Sequence, residues 1–147
     1  MIDSLVSKSR IKSPWLFHLN TGSCNGCDIE FVTLLTPRYD VERFGIKLSG
    51  SPRHADIVIV SGPLTTQSKD RALKVFSQIP EPKVVVSLGS CPMSGNVFKG
   101  SYSIEAPLDR FIPVDVSVAG CPPKPEAIMD GILRAIEILK LKRGEVK

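Results

Sequence analysis

The chain holds four cysteines, and all four stand in turns rich in glycine or proline. Cys24 and Cys27 form a C-x-x-C pair within Gly22-Ser23-Cys24-Asn25-Gly26-Cys27. Cys91 lies in Leu88-Gly89-Ser90-Cys91-Pro92, and Cys121 in Ala119-Gly120-Cys121-Pro122-Pro123. Thiolates select iron–sulfur clusters and zinc. Structural zinc sites use two close cysteine pairs or added histidines, whereas Cys91 and Cys121 stand singly and far apart. A redox dithiol at Cys24 and Cys27 leaves the other two without a role. Inert core cysteines do not concentrate in Gly/Pro turns. A proline directly after Cys91 and Cys121 is similar to the Cys-Pro of ferredoxin-type sites. The residues favour a [4Fe–4S] cluster over these three alternatives, which stay open on sequence alone.

The surrounding elements explain how distant thiols meet. Trp15 to Leu19, Asp56 to Val60, Lys83 to Leu88 and Ile112 to Val118 read as strands, and Phe44 to Leu48 alternates as a half-buried one. Asp28 to Leu35, Thr66 to Gln78 and the segment from Pro125 to Leu139 carry apolar residues at helical spacing. The alternation predicts an α/β domain with a mainly parallel sheet and helices on both faces. Each cysteine segment follows a strand, so the thiols fall at the carboxyl edge of the sheet, where such folds bind ligands. Helices begin after Cys27 and after Cys121, and their N-termini are expected to favour thiolate. The turn Ser61-Gly62-Pro63 falls on the same edge and is a candidate lining.

Length and composition set the frame. The 147 residues, 42% hydrophobic with 6% aromatic, suit one domain filled by Val, Ile and Leu. The expected organisation is a basic N-terminal arm over 1–13, a single domain over 14–140 and a basic C-terminal tail over 141–147. The net charge of +4 is concentrated in those ends, which read as solvated or as touching an acidic partner or anionic lipid. No run of about 18 apolar residues is present, and Met1 to Ser13 lacks a signal-peptide core, so a cytoplasmic setting is expected. There is no phosphate loop and no basic–aromatic interleaving, so neither nucleotide nor nucleic acid is expected as a ligand. Pro92 to Arg110 is a long irregular stretch, and loops of that length usually bind something. With Met93, Val97, Phe98, Tyr102 and Ile104 it is the candidate docking face. Glu30, three residues beyond Cys27, is a candidate for proton movement, though a glutamate so placed is more often a solvated helix residue. His18 reads as a core or partner-contact residue.

Three segments, Asn20 to Glu30, Gly89 to Gly95 and Gly120 to Glu126, match one superfamily in order. The chain resembles the small subunits of [NiFe] hydrogenases and the cluster-bearing subunit of respiratory complex I, from about Trp15 to Leu139. The resemblance implies a flavodoxin-like fold and a proximal [4Fe–4S] cluster bound by Cys24, Cys27, Cys91 and Cys121. The complex I type has adjacent cysteines at the first site, whereas this chain has Cys24-Asn25-Gly26-Cys27, as hydrogenases do. Uptake hydrogenases carry a second domain and an export signal not seen here, so the resemblance points to energy-converting, membrane-bound hydrogenases. It implies an oxidoreductase subunit that passes electrons between a ferredoxin-like iron–sulfur subunit and a large subunit bearing the nickel–iron centre. Integral membrane subunits would complete the complex, with this chain peripheral on the cytoplasmic side of the membrane. The alternative is the equivalent subunit of a complex I-like quinone- or sulfur-reducing membrane oxidoreductase.

Overall fold

The computed structural model describes residues 2–144. Helix α1 (Ile2–Lys12) leads into β1 (Trp15–Asn20), α2 (Gly26–Thr33), β2 (Lys47–Leu48), β3 (Ile57–Ser61) and α3 (Thr66–Ser77). Then follow β4 (Val84–Leu88), the short α4 (Ser90–Ser94), β5 (Val116–Val118) and the long α5 (Pro125–Lys142). The strands form one sheet in the order β2-β1-β3-β4-β5, and every pairing is parallel. This is the flavodoxin-like doubly wound order.

The central strands are apolar on both sides because both sides are covered. Ile57 and Ile59 of β3, with Val84 and Val86 of β4, pack against Phe31 and Leu34 near α2 and Ile128, Ile132 and Leu139 of α5. The alternate residues Val58, Val60 and Val85 pack against Ala72 of α3, Leu64 and Ile79 on its flanks, and Leu108 and Ile112. Helix α3 starts with a reciprocal cap: Ser68 N donates to Thr65 Oγ1 at 3.1 Å, and Thr65 N to Ser68 Oγ at 3.2 Å. Ser68 Oγ also donates to Thr21 O at 2.7 Å, which fixes the start of α3 against the turn after β1.

Four expectations are corrected. The N-terminal stretch is a helix rather than a solvated arm, because Ile11 is buried where α1 lies along α5. Phe44 ends a 3-10 turn (Val41–Phe44), and β2 is only two residues long, since an edge strand pairs on one side alone. The strand expected from Ile112 begins at Val116; Ile112 is instead a buried plug over the α3 face, and Pro113 has no N–H to offer a ladder. At the other end α5 runs to Lys142, and Arg143 is not solvated: its side chain is 4% exposed and its guanidinium lies 2.6 Å from Asp56 Oδ1. Residues 145–147 of the expected tail lie outside the described residues.

A four-thiol edge as candidate redox site

Because all strands run the same way, the turns after β1, β4 and β5 emerge on one edge. Cys24 lies in the turn after β1, Cys27 in the first turn of α2, Cys91 in α4 just after β4, and Cys121 in the turn after β5. Backbone bonds hold these turns together in pairs. Gly89 N donates to Val118 O at 2.8 Å and Ser90 N to Gly120 O at 2.9 Å, joining the Cys91 and Cys121 turns. Thr21 N donates to Ser61 O at 3.0 Å, and Thr21 Oγ1 to the carbonyls of Ser61 and Gly62 at 3.0 Å each, joining the Cys24 turn to that after β3.

Two glycines make the approach possible. Gly89 has φ +88 and ψ 172, a region essentially closed to other residues, and a Cβ there would stand 2.7 Å from Cys27 Sγ. Gly62, with φ +80, lies against the backbone of Gly22 and Ser23. Ser61, Gly62 and Pro63 are all buried, so this turn supports the paired-cysteine turn from beneath.

Cys27 is buried, Cys91 half-buried, and Cys24 and Cys121 exposed. All four are near enough to affect one another electrostatically. Burial first, then the charges of Cys91, Cys24, Asp28 and Cys121, push the Cys27 thiol up to about 11. Cys91 is also raised, chiefly by burial and then by Cys121 and Cys24, against the bond from Asn96 that lowers it. The thiolate preference expected from the start of α2 is therefore reversed at Cys27. Desolvation and mutual repulsion outweigh α2's field, and Cys121 is four residues short of the start of α5. Cys27 and Cys91 are thus held toward the protonated thiol when unliganded; a positive group shared with them removes that penalty. Among the described residues no three His, Cys, Asp or Glu side chains surround one point closely enough to hold a single metal ion.

Sequence reasoning missed two polar arrangements around the thiols. Asn96, in the 3-10 turn after α4, donates from Nδ2 to Cys121 Sγ at 3.2 Å and more distantly to Cys91 Sγ at 4.0 Å. Asp28, beside Cys27, accepts from Ser61 Oγ and from Asn20 Nδ2 at 2.6 Å each, with His18 Nε2 3.0 Å from its Oδ1. Asn20 in turn accepts the backbone N–H groups of Gly22 and Ser23 at 2.9 Å each. The start of α2 and the first cysteine turn are thus pinned to β1 and β3. His18, half-buried and stacked at 5.2 Å on Phe31, belongs to this network. The only sequence signal was a cluster of short polar residues around the cysteines. Glu30 is half-buried on α2, close enough for its charge to act on Tyr39.

The segments that carry the cysteines also carry exposed apolar side chains. Val97 is 80% and Tyr102 100% exposed, with Met93 and Phe98 beside them in sequence, and Ile29 and Val32 are exposed on α2. Ile104 departs from the expected face: it is half-buried and bridges Thr65 in an antiparallel contact.

Fold and thiol edge together define a class, doubly wound α/β domains that gather cysteines at the carboxyl edge of the sheet. The family model described as the NADH ubiquinone oxidoreductase 20 kDa subunit matches residues 24–135, and the chain belongs to that family. It is 60% identical over 136 residues to a probable membrane-bound hydrogenase subunit, mbhJ, of Pyrococcus furiosus, covering 92% of this chain and 81% of that protein. It is 40% identical over 139 residues to formate hydrogenlyase subunit 7 of Escherichia coli, covering 95% of this chain and 54% of that one. Among solved structures, a chain of the archaeal membrane-bound sulfane sulfur reductase complex superposes with TM-score 0.80 at 41% identity, covering 96% of this chain and 77% of that chain. These relatives are subunits of oxidoreductase complexes, and an iron–sulfur role is consistent with the family. Among the described residues no helix is long and apolar enough to cross a membrane.

Proposed function

We propose that this chain is the electron-transfer small subunit of a membrane-bound [NiFe] hydrogenase complex. Cys24, Cys27, Cys91 and Cys121 would hold one [4Fe–4S] cluster, which when bound supplies a one-electron store. The observation that carries the reading is the convergence of all four thiols, from three separate turns, on one edge of the sheet. Burial of Cys27 keeps water from one side of the site, and Asn96 offers an N–H to sulfur on another. All four thiols are committed to one group, so the nickel–iron centre belongs to a large-subunit partner. A ferredoxin-like iron–sulfur subunit would exchange electrons on the other side, and integral membrane subunits would hold the complex to the cytoplasmic side of the membrane. The identity to the Pyrococcus furiosus hydrogenase subunit supports this choice. Exposed Met93, Val97, Phe98 and Tyr102 are the proposed partner contacts, and Glu30 is a proton-path candidate.

A second reading, the equivalent subunit of a quinone- or sulfur-reducing complex, is favoured by the likeness to the sulfane sulfur reductase chain. Anaerobic purification from the native source separates the two. We expect iron and acid-labile sulfide in a ratio near unity, a paramagnetic signal on reduction, and a co-purifying large subunit with hydrogen-dependent dye reduction. Replacing any one of the four cysteines by serine should remove that signal. Zinc in place of iron ends the redox reading, and a partner without hydrogen activity moves the assignment to the second.

A further inference from the structure

The starts of the parallel strands define the edge opposite the thiols, and that edge is basic. Lys47 opens β2, Arg53 lies in the turn before β3, and Lys83 precedes β4. Helix α5 ends there with Lys140 and Lys142, followed by Arg143, and α1 adds Lys8, Arg10 and Lys12. The local carboxylates are already engaged: Asp56 with Arg143, Asp115 with Lys142 at 2.7 Å, and Glu81 with Lys83 at 3.0 Å. No described carboxylate forms an ion pair with Lys8, Arg10, Lys12, Lys47, Arg53 or Lys140. Glu42, in the turn before β2, and Glu137, in the second half of α5, are exposed carboxylates nearby, while α5's exposed Glu126 and Asp130 lie in its first two turns toward the thiol edge, which leaves a positive balance here.

This basic region is also partly apolar. Between α1 and α5 runs an open groove of about 850 Å³, with Ile11, Phe44, Leu133 and Ile136 as its floor and Lys8, Lys12 and Lys140 on its rim. On the same two helices Val6 and Leu141 are 45% and 60% exposed. Lysines that rim an apolar floor can lay their stems along it and present their ammonium groups outward. That arrangement matches the two layers of a bilayer interface, phosphate outside and acyl carbon beneath. A nucleic acid would ask for several aromatics free to stack along the groove, whereas Phe44 is its lone aromatic and Phe44 and Trp15 already have Arg43 and Lys47 over their rings.

We propose that this edge, centred on the groove between α1 and α5, docks on an anionic lipid bilayer and holds the thiol edge away from the membrane. The proposal deepens the reading of the chain as a peripheral subunit of a membrane complex and rests on it for its biological setting. Its test is independent of that reading. The full chain, prepared anaerobically, is mixed with phosphatidylglycerol/phosphatidylethanolamine vesicles or with phosphatidylcholine vesicles and separated by flotation. Trp15, the single tryptophan, opens β1 on this edge with Lys47 Nζ 5.2 Å from its ring centre, so its fluorescence reports contact.

The chain should float with the anionic vesicles, be released by salt, and stay behind with the zwitterionic ones. Each basic residue at such a surface is worth about fivefold in partition. Lys12→Glu with Lys140→Glu should therefore cut binding about 25-fold or more. Arg71→Glu with Lys74→Glu, the same charge change on the exposed side of α3, should leave most of it. Circular dichroism establishes that both variants fold. Equal loss in both pairs reduces the effect to net charge and overturns the proposal. Failure of the unaltered chain to float also overturns it, and assigns the basic edge to an acidic protein partner. Absence of membrane subunits on co-purification would sink the complex reading alone.

Discussion

Asn96 aims a side-chain amide at Cys121 and, more loosely, at Cys91, from a backbone with φ +48 that few non-glycine residues adopt. An N–H donated to a cluster sulfur stabilises the more negative, reduced state and so raises the potential. Asn96→Leu should therefore lower the midpoint potential while leaving iron content unchanged, as a redox titration followed by paramagnetic resonance would detect. An unmoved potential would reduce Asn96 to a loop residue. The cysteines themselves were legible in the sequence because a thiol is rare and its turn chemistry is distinctive. Asn96 and Asp28 were not, because short polar residues are common and these find their partners only when separate turns meet. His18 was read as a core or contact residue; its link to Asp28 depends on the pairing of β1 with β3, which no local pattern reveals.

Elements were legible in proportion to how completely they are buried. Strands β3 and β4 stand out as β-branched runs because neighbours lie on both sides and helices cover both faces. Strands β2 and β5 close the sheet at its edges; both are legible as strands, but their short pairings leave no mark of where they begin. Helix α1 was read as a solvated arm because its charges dominate, and one buried isoleucine is too weak a signal. Between elements, Tyr39 in the turn after α2 donates to Glu126 in the first turn of α5 at 3.0 Å. That bond raises the phenol above its usual 10.0. Its own backbone N–H first, and then Tyr39, hold Glu126 below the usual 4.5. The carboxylate's share of the stability is present above pH 4.5 and fades as pH falls through its lowered value. The phenol's share is present below pH 10.0 and fades as pH rises through its raised value. Tyr39→Phe should accordingly melt slightly below the parent across the neutral plateau, with the gap closing at both extremes. A gap independent of pH would mean that the aromatic packing, not the bond, had changed.

Over the whole molecule, Asp56 gathers three distant parts of the chain. Its Oδ1 meets Arg143 beyond α5, its Oδ2 accepts the Trp15 N–H at the start of β1 at 3.0 Å, and it immediately precedes β3. Both side chains of the ion pair are almost fully enclosed, at 4% and 3% exposure. Removing one partner strands the other charge, so Arg143→Ala should cost about 3 to 5 kcal/mol in denaturant unfolding. The neighbouring Lys142–Asp115 pair is open to solvent, and Lys142→Ala should cost no more than about 1 kcal/mol. Similar losses in the two variants would show that Arg143 is better hydrated than its burial implies. The four sulfurs come from positions 24 to 121 and ride on strands β1, β4 and β5, with β3 between them. No fragment lacking either flank can present the full set, so whatever joins them acts as a clasp that closes only on a finished topology. A cofactor shared by the four would thereby load late, as a quality check, and partners that recognise a loaded edge would admit only chains that have passed it.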